Sequence, residues 1–138
     1  MKLLLWAHLV ALALGVGGGL GMSQVGPRLV NASPNQRETW WPLARVFRML
    51  TSIGLVLLLV TGPLMVWLKY GGFAGMNVWF QVKMGLVALG VVLMGLSEMG
   101  LARLKRGDEA GGKLAMTAGP ALGVTMYVVM LAAVFAFN

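Results

Sequence analysis

The sequence predicts an all-α membrane protein, an antiparallel bundle of four transmembrane helices. Three observations carry that expectation. Hydrophobic residues make up 59% of the 138-residue chain and charged residues only 11%, where a soluble domain carries about a quarter charged residues. The apolar residues gather into four runs, each close to the roughly 20 residues needed to cross a hydrocarbon core of about 30 Å. The charges fall almost wholly between those runs, which is where a chain dissolved in lipid must keep them. The whole chain, 1–138, reads as a single domain with spans at about 3–22, 47–68, 78–101 and 114–137.

The first span runs from Leu3 to Met22. Lys2 ahead of an apolar stretch, with Ala11 and Ala13 following, imitates a cleavable signal peptide. The apolar character continues to Met22, so the run is expected to remain as a membrane span. Gly15, Gly17, Gly18, Gly19 and Gly21 would weaken a helix in water by up to about 1 kcal/mol each. In lipid the backbone must satisfy itself internally and close helix packing favours glycine. Ala7, Ala11, Gly15 and Gly19 recur every four residues, a row of small side chains along which a second backbone can approach. Beside that row stands His8, the only histidine.

Pro27 and Pro34 bracket a polar segment holding Arg28, Asn31, Asn35, Arg37 and Glu38, and residues 23–46 are expected to form a loop. Trp40 and Trp41 read as an interfacial anchor ahead of Arg45 and Arg48 at the mouth of the second span. Within that span Thr61, Gly62 and Pro63 should produce a kink, because proline removes a backbone donor. Trp67, Lys69 and Tyr70 mark the second interface, and a glycine-containing turn over 71–77 leads onward. The third span opens on Trp79 and Phe80 and carries two charges inside its apolar run, Lys83 and Glu98. Glu98 lies level with Arg45 and Arg48, so a salt bridge to one of them is expected. After a charged loop over 102–113, the fourth span repeats the small-residue row at Ala115, Gly119 and Gly123, with Pro120 among them.

Orientation follows from the distribution of cations. Arg28, Arg37, Arg45 and Arg48 lie between spans one and two, and Arg103, Lys105, Arg106 and Lys113 between three and four. Only Lys2 and Lys69 lie on the opposite side, and Lys83 is inside the membrane. Positive charge marks the cytoplasmic side. Loops 23–46 and 102–113 should therefore be cytoplasmic and both termini on the periplasmic or outer side of a bacterial inner membrane. The net charge of +7 is thus accounted for by orientation and anionic headgroups, with no nucleic-acid partner implied.

The chain contains no cysteine, which excludes disulfides, thiolate catalysis and iron–sulfur clusters. Neither a Ser-His-Asp set nor a phosphate-binding loop nor paired carboxylates can be assembled from its motifs. His8 and Lys83 each lie about five residues, or roughly 7 Å, inside the outer end of their spans. An imidazole facing a bundle can ligate haem iron, and a nearby lysine can pair with a propionate. Equally, His8 can bond a carbonyl at the interface while Lys83 snorkels outward past Trp79. One histidine cannot supply both axial ligands of a bis-histidine haem within one chain. Eleven methionines raise a copper reading, since thioether sulfur suits Cu(I), but Met65, Met84, Met94, Met126 and Met130 are scattered through apolar helices as ordinary filler.

Taken together, the first-span histidine, the basic approach Arg45, Arg48, Met49, Leu50 and the run Trp79-Phe80-Gln81-Val82-Lys83 resemble two related membrane families. These are the HemJ-type protoporphyrinogen oxidases and the CopD-like proteins, which share a four-helix core with many uncharacterised relatives. The resemblance extends over Lys83 to Leu89 and the Ala-Gly-Pro of Ala118 to Pro120. It implies a four-helix fold, with haem b binding at His8 and Lys83 if the HemJ-like roles carry over. The chain departs from that family where a late third-span histidine is expected, having Met94, Gly95 and Ser97 there. It also has Thr117-Ala118-Gly119-Pro120 in place of an Asn-Glu-x-Pro motif. Both departures remove proton acceptors.

Two readings of function follow. The favoured one is a non-catalytic accessory or assembly subunit, its small-residue faces meeting other membrane subunits or a second copy of the chain. The other is a haem- or porphyrin-associated protein with His8 as axial ligand and Lys83 as propionate partner, an oxidase if enzymatic at all. A copper-related role stands behind both.

Overall fold

A computed structural model describes residues 1–74 and 76–136, and every regular element among them is an α-helix. The order is α1 (Lys2–Asn31), α2 (Pro34–Tyr70), α3 (Val78–Lys105) and α4 (Glu109–Ala136). All four are long and apolar enough to cross a membrane. Phe137, the expected end of the fourth span, lies outside the described residues.

The helices outrun the apolar segments. The loop expected over 23–46 shrinks to Ala32 and Ser33, and that expected over 102–113 to residues 106–108. At 1.5 Å per residue α1 is about 45 Å long, so polar turns continue past the hydrocarbon as helix. Pro27 stays inside α1 and Pro42 inside α2, because composition marks where lipid ends and does not by itself end a helix. The breaks come from local chemistry. Ser33 N–H donates to Gln36 Oε1 at 3.3 Å and Pro34 takes the first turn of α2, where its missing donor costs nothing. Gly71 closes α2 in the left-handed region at φ 71°, its N–H donating to Trp67 O at 3.0 Å. The side chain of Asn77 caps α3, accepting from Phe80 N–H at 3.0 Å, and Asp108 accepts from Ala110 N–H at 3.0 Å ahead of α4.

Packing is by pairs. α1 lies along α2 and α3 along α4, with a lesser contact between α1 and α4. The buried positions of α4 include Gly111, Ala115, Ala118, Thr125, Val129 and Ala132, the alternating three- and four-residue steps of helices crossing at a shallow angle. On α1, Ala11, Gly18 and Val25 recur every seven residues. Glycines make the approach close. A Cβ on Gly54 would stand 2.7 Å from Ala11 O and collide with Gly15, one on Gly18 would stand 2.7 Å from Phe47 O, and one on Gly100 would stand 2.7 Å from Gly111 O. These are backbone contacts that only a missing side chain permits.

The larger buried cluster sits where α1 ends and α2 begins: Val25, Leu29, Ala44, Leu101 and Ala115, with Trp40, Trp41 and Phe47 against it. At the other end the cluster is Val66 and Phe80, flanked by Met76 and Met84.

Candidate functional site

Three polar positions inside or beside the spans define the places where chemistry can occur. The first is His8 on α1, whose Nδ1 lies 2.7 Å from Thr61 Oγ1 on α2. Thr61 is buried, and its hydroxyl bonds back to Leu57 O at 2.6 Å. A hydroxyl that donates to that carbonyl accepts from the ring, so both bonds are made together when His8 donates from Nδ1–H. In that tautomer Nε2 keeps its lone pair, the state in which histidine ligates a metal. Gly62 leaves room for the ring: a Cβ there would stand 3.7 Å from His8 Cε1. The kink-prone Thr61-Gly62-Pro63 triplet is thus also the seat of His8, a partnership that sequence reading missed. The signal was a hydroxyl near the far end of the second span, opposite the early histidine of the first.

Lys83 is half-buried near the start of α3, while His8 bonds to Thr61 near the end of α2, the helix that leads into α3.

The second position is the ion pair between α2 and α3. Of the two arginines considered for Glu98, Arg48 holds it, with Nε donating to Oε1 at 2.9 Å and a terminal nitrogen donating to Oε2. A fork-to-carboxylate pairing of this kind fixes direction as well as charge. Arg45 is exposed one turn away and lines the groove outside that pair.

The third is Arg37, in the segment expected to be a loop. Its guanidinium donates to Leu29 O at 3.2 Å and Val30 O at 3.1 Å, closing the carboxyl end of α1, and pairs with Glu109 at 3.0 Å on the first turn of α4. Carbonyls left over at a helix end need such donors, and Glu109 complements the positive end of its own helix.

The small-residue rows divide. Ala11 and Ala115 lie buried on the seams, Ala7 is half-buried, and Gly15 meets Gly54. Gly19, Gly119 and Gly123 line a cavity of about 390 Å³ between the four helices. A four-residue step turns about 40° beyond a full rotation, so each row starts on a seam and winds off it. Among the described residues no cluster of three or more His, Cys, Asp or Glu side chains could hold a metal ion.

No protein-family model, curated protein or solved structure matches this chain. The four apolar helices make it a multi-pass membrane protein by length and composition.

Proposed function

We propose that the chain is an antiparallel four-span protein of a bacterial inner membrane, with both termini outside, that serves as a non-catalytic accessory or assembly subunit of a larger membrane complex. One observation carries this. On α3 the positions Gly85, Ala88, Val92, Gly95 and Met99 are all exposed, and nothing lies within 4 Å of a Cβ placed on Gly85 or Gly95. The spacing is that of a helix–helix seam, and small residues in such a seam are what transmembrane helices pack against. A partner helix from another subunit fits this face. The sidedness is supported by the eight cations gathered near the α1–α2 and α3–α4 connections. The test is purification in mild detergent with chemical cross-linking. A stoichiometric partner, or a second copy, should be captured by the native chain and lost in Gly95→Leu; a monodisperse single chain unaffected by that change sinks the reading.

The geometry at His8 favours a second reading, a haem- or porphyrin-associated protein related to the HemJ-type proteins. Its support is the hydrogen bond between His8 Nδ1 and Thr61, a pairing that in its Nδ1–H form keeps the Nε2 lone pair for iron, with Lys83 on α3 as the residue that would meet a propionate. These residues fit one axial ligand and one anionic arm of haem b. A Soret band lost in His8→Ala would support this reading, and a colourless native protein reconstituted with haem would reject it.

A further inference from the structure

Two hollows in this protein share one wall. The inner one is the cavity of about 390 Å³, reached by all four helices and walled mainly by aliphatic side chains. A Cβ added at Gly15, Gly19 or Gly123 would meet no atom within 4 Å, so the glycines of α1 and α4 hold open a slot that ordinary side chains would fill. Its mainly aliphatic wall suits a hydrocarbon chain, and its volume falls in the range of ligand sites, about 300–1,000 Å³. The outer hollow is a groove of about 850 Å³ between α2 and α3, lined by Arg45, Arg48 and Lys105 with Glu38 and Glu98, and by Trp41 and Met49 among its apolar residues. Lys105 Nζ stands 5.8 Å over the Trp41 ring. Arg48 and Glu98 line both hollows.

We propose that the two hollows form one binding site for an anionic amphiphile: its acidic head sits at Arg45 and Lys105, and a hydrocarbon chain passes the Arg48–Glu98 pair into the cavity. Charge selects the head. Three cations face two carboxylates in the groove, and Arg48 and Glu98 already satisfy each other, so the excess matches a single phosphodiester or carboxylate. Location agrees, because basic grooves between transmembrane helices at the positive end of a bundle recruit anionic headgroups. The weak contact between α2 and α3 gives the chain a lateral way in. The same chemistry is offered by a phospholipid and by a free fatty acid. The site is independent of both functional readings above.

The experiment uses the full chain, delipidated in mild detergent and offered phosphatidylglycerol, oleate or phosphatidylethanolamine, with retention read by native mass spectrometry. One anionic molecule per chain should be retained about tenfold better than phosphatidylethanolamine. The anionic probe that is retained identifies a phospholipid or a fatty acid as the source. Arg45→Gln with Lys105→Gln should abolish the preference for anionic probes. Gly19→Leu and Gly123→Leu should lower retention of the anionic probe about tenfold, while Val60→Leu, on the exposed side of α2, leaves it unchanged. Should either leucine variant fail to fold, Gly19→Ala combined with Gly123→Ala adds two methyl groups in open space, keeps the fold and still lowers retention. Equal retention of phosphatidylethanolamine by the native chain, or undiminished retention in the folded glycine variants, overturns the proposal.

Discussion

The two ends of the bundle are held together by different means. At the end where α1 gives way to α2, Leu29, Leu101 and Leu104 are fully buried, Arg37 joins α1, α2 and α4, and Arg48 joins α2 to α3. Arg28 and Lys105 lie 5.8 Å over the rings of Trp40 and Trp41, so those two aromatics serve the core as well as the interface. At the opposite end the buried cluster is Val66 and Phe80, Trp6 and Trp67 are each 65% exposed, and α1 meets α2 through the His8–Thr61 hydrogen bond. One end is knotted by two arginine–glutamate pairs and the larger buried cluster; the other, the looser end, has the smaller buried cluster and is aromatic, with Lys69 5.2 Å from the Tyr70 ring. The difference teaches that ion pairing and the larger buried cluster go together at one end, where the fully buried leucines also lie.

The sharpest way to break this contrast is to push the paired helices apart. Gly100→Leu would force a side chain into the α4 backbone, with Gly111 O and Ala115 N each 2.7 Å from the new Cβ. Backbone cannot yield as a side chain does, so a loss of about 3 kcal/mol or more is expected, at the upper end of overpacking costs. Thermal unfolding in mild detergent should show it, whereas Gly85→Leu, in open space, should change stability by less than about 0.5 kcal/mol. Next in size is the core. Leu29→Ala at the knotted end should cost about 2–3 kcal/mol, the lower part of the range for buried leucine, because in a membrane the cavity and lost dispersion remain while the water-transfer gain is small. Val66→Ala at the loose end should cost about 1–2 kcal/mol. If the two prove equal, the asymmetry between the ends is not energetic.

Arg37→Ala follows. It leaves the carbonyls of Leu29 and Val30 without these donors, at about 1–3 kcal/mol for hydrogen bonds to a charged group. Glu109→Gln should matter far less, since that carboxylate is 71% exposed and exposed ion pairs contribute little. Equal effects of the two would mean that the ion pair, not the helix cap, holds α1 to α4.

The four spans were legible because lipid imposes length and apolarity on every one of them. The charge pair was legible in kind: a glutamate within an apolar run needs a partner at its depth, and Arg48 supplies it. What the sequence could not show was angular. Ala7, Ala11, Gly15 and Gly19 form a row on paper, but the contact follows the seven-residue repeat through Ala11, Gly18 and Val25, and the row drifts into the cavity at Gly19. The contacts of Gly54 and Gly100 are equally hidden, because a single glycine does not announce which backbone lies opposite. The polar stretch between the first two spans looked like loop because polarity marks the membrane's edge. Its helical continuation depends on Arg37 closing α1 from eight residues beyond Leu29, a tertiary fact.

A modest loss on the first two helices is the most informative about His8. Thr61→Val keeps the shape and removes both the acceptor for Nδ1–H and the hydroxyl that returns to Leu57 O. Interhelical hydrogen bonds in membranes contribute modestly, so a loss of about 0.6–1.5 kcal/mol is expected. Thr61→Ser should restore it, since the serine hydroxyl can make the same two bonds. Stability alone would not reveal the consequence for the ring. Nitrogen-15 chemical shifts of the imidazole should report an Nδ1–H tautomer in the native protein and a shift toward Nε2–H in Thr61→Val, where nothing then fixes the proton. If the tautomer is unchanged in Thr61→Val, some other group positions His8. The case for a pre-set Nε2 ligand at that end would then fall, and the proposed partner face on α3 would stand without it.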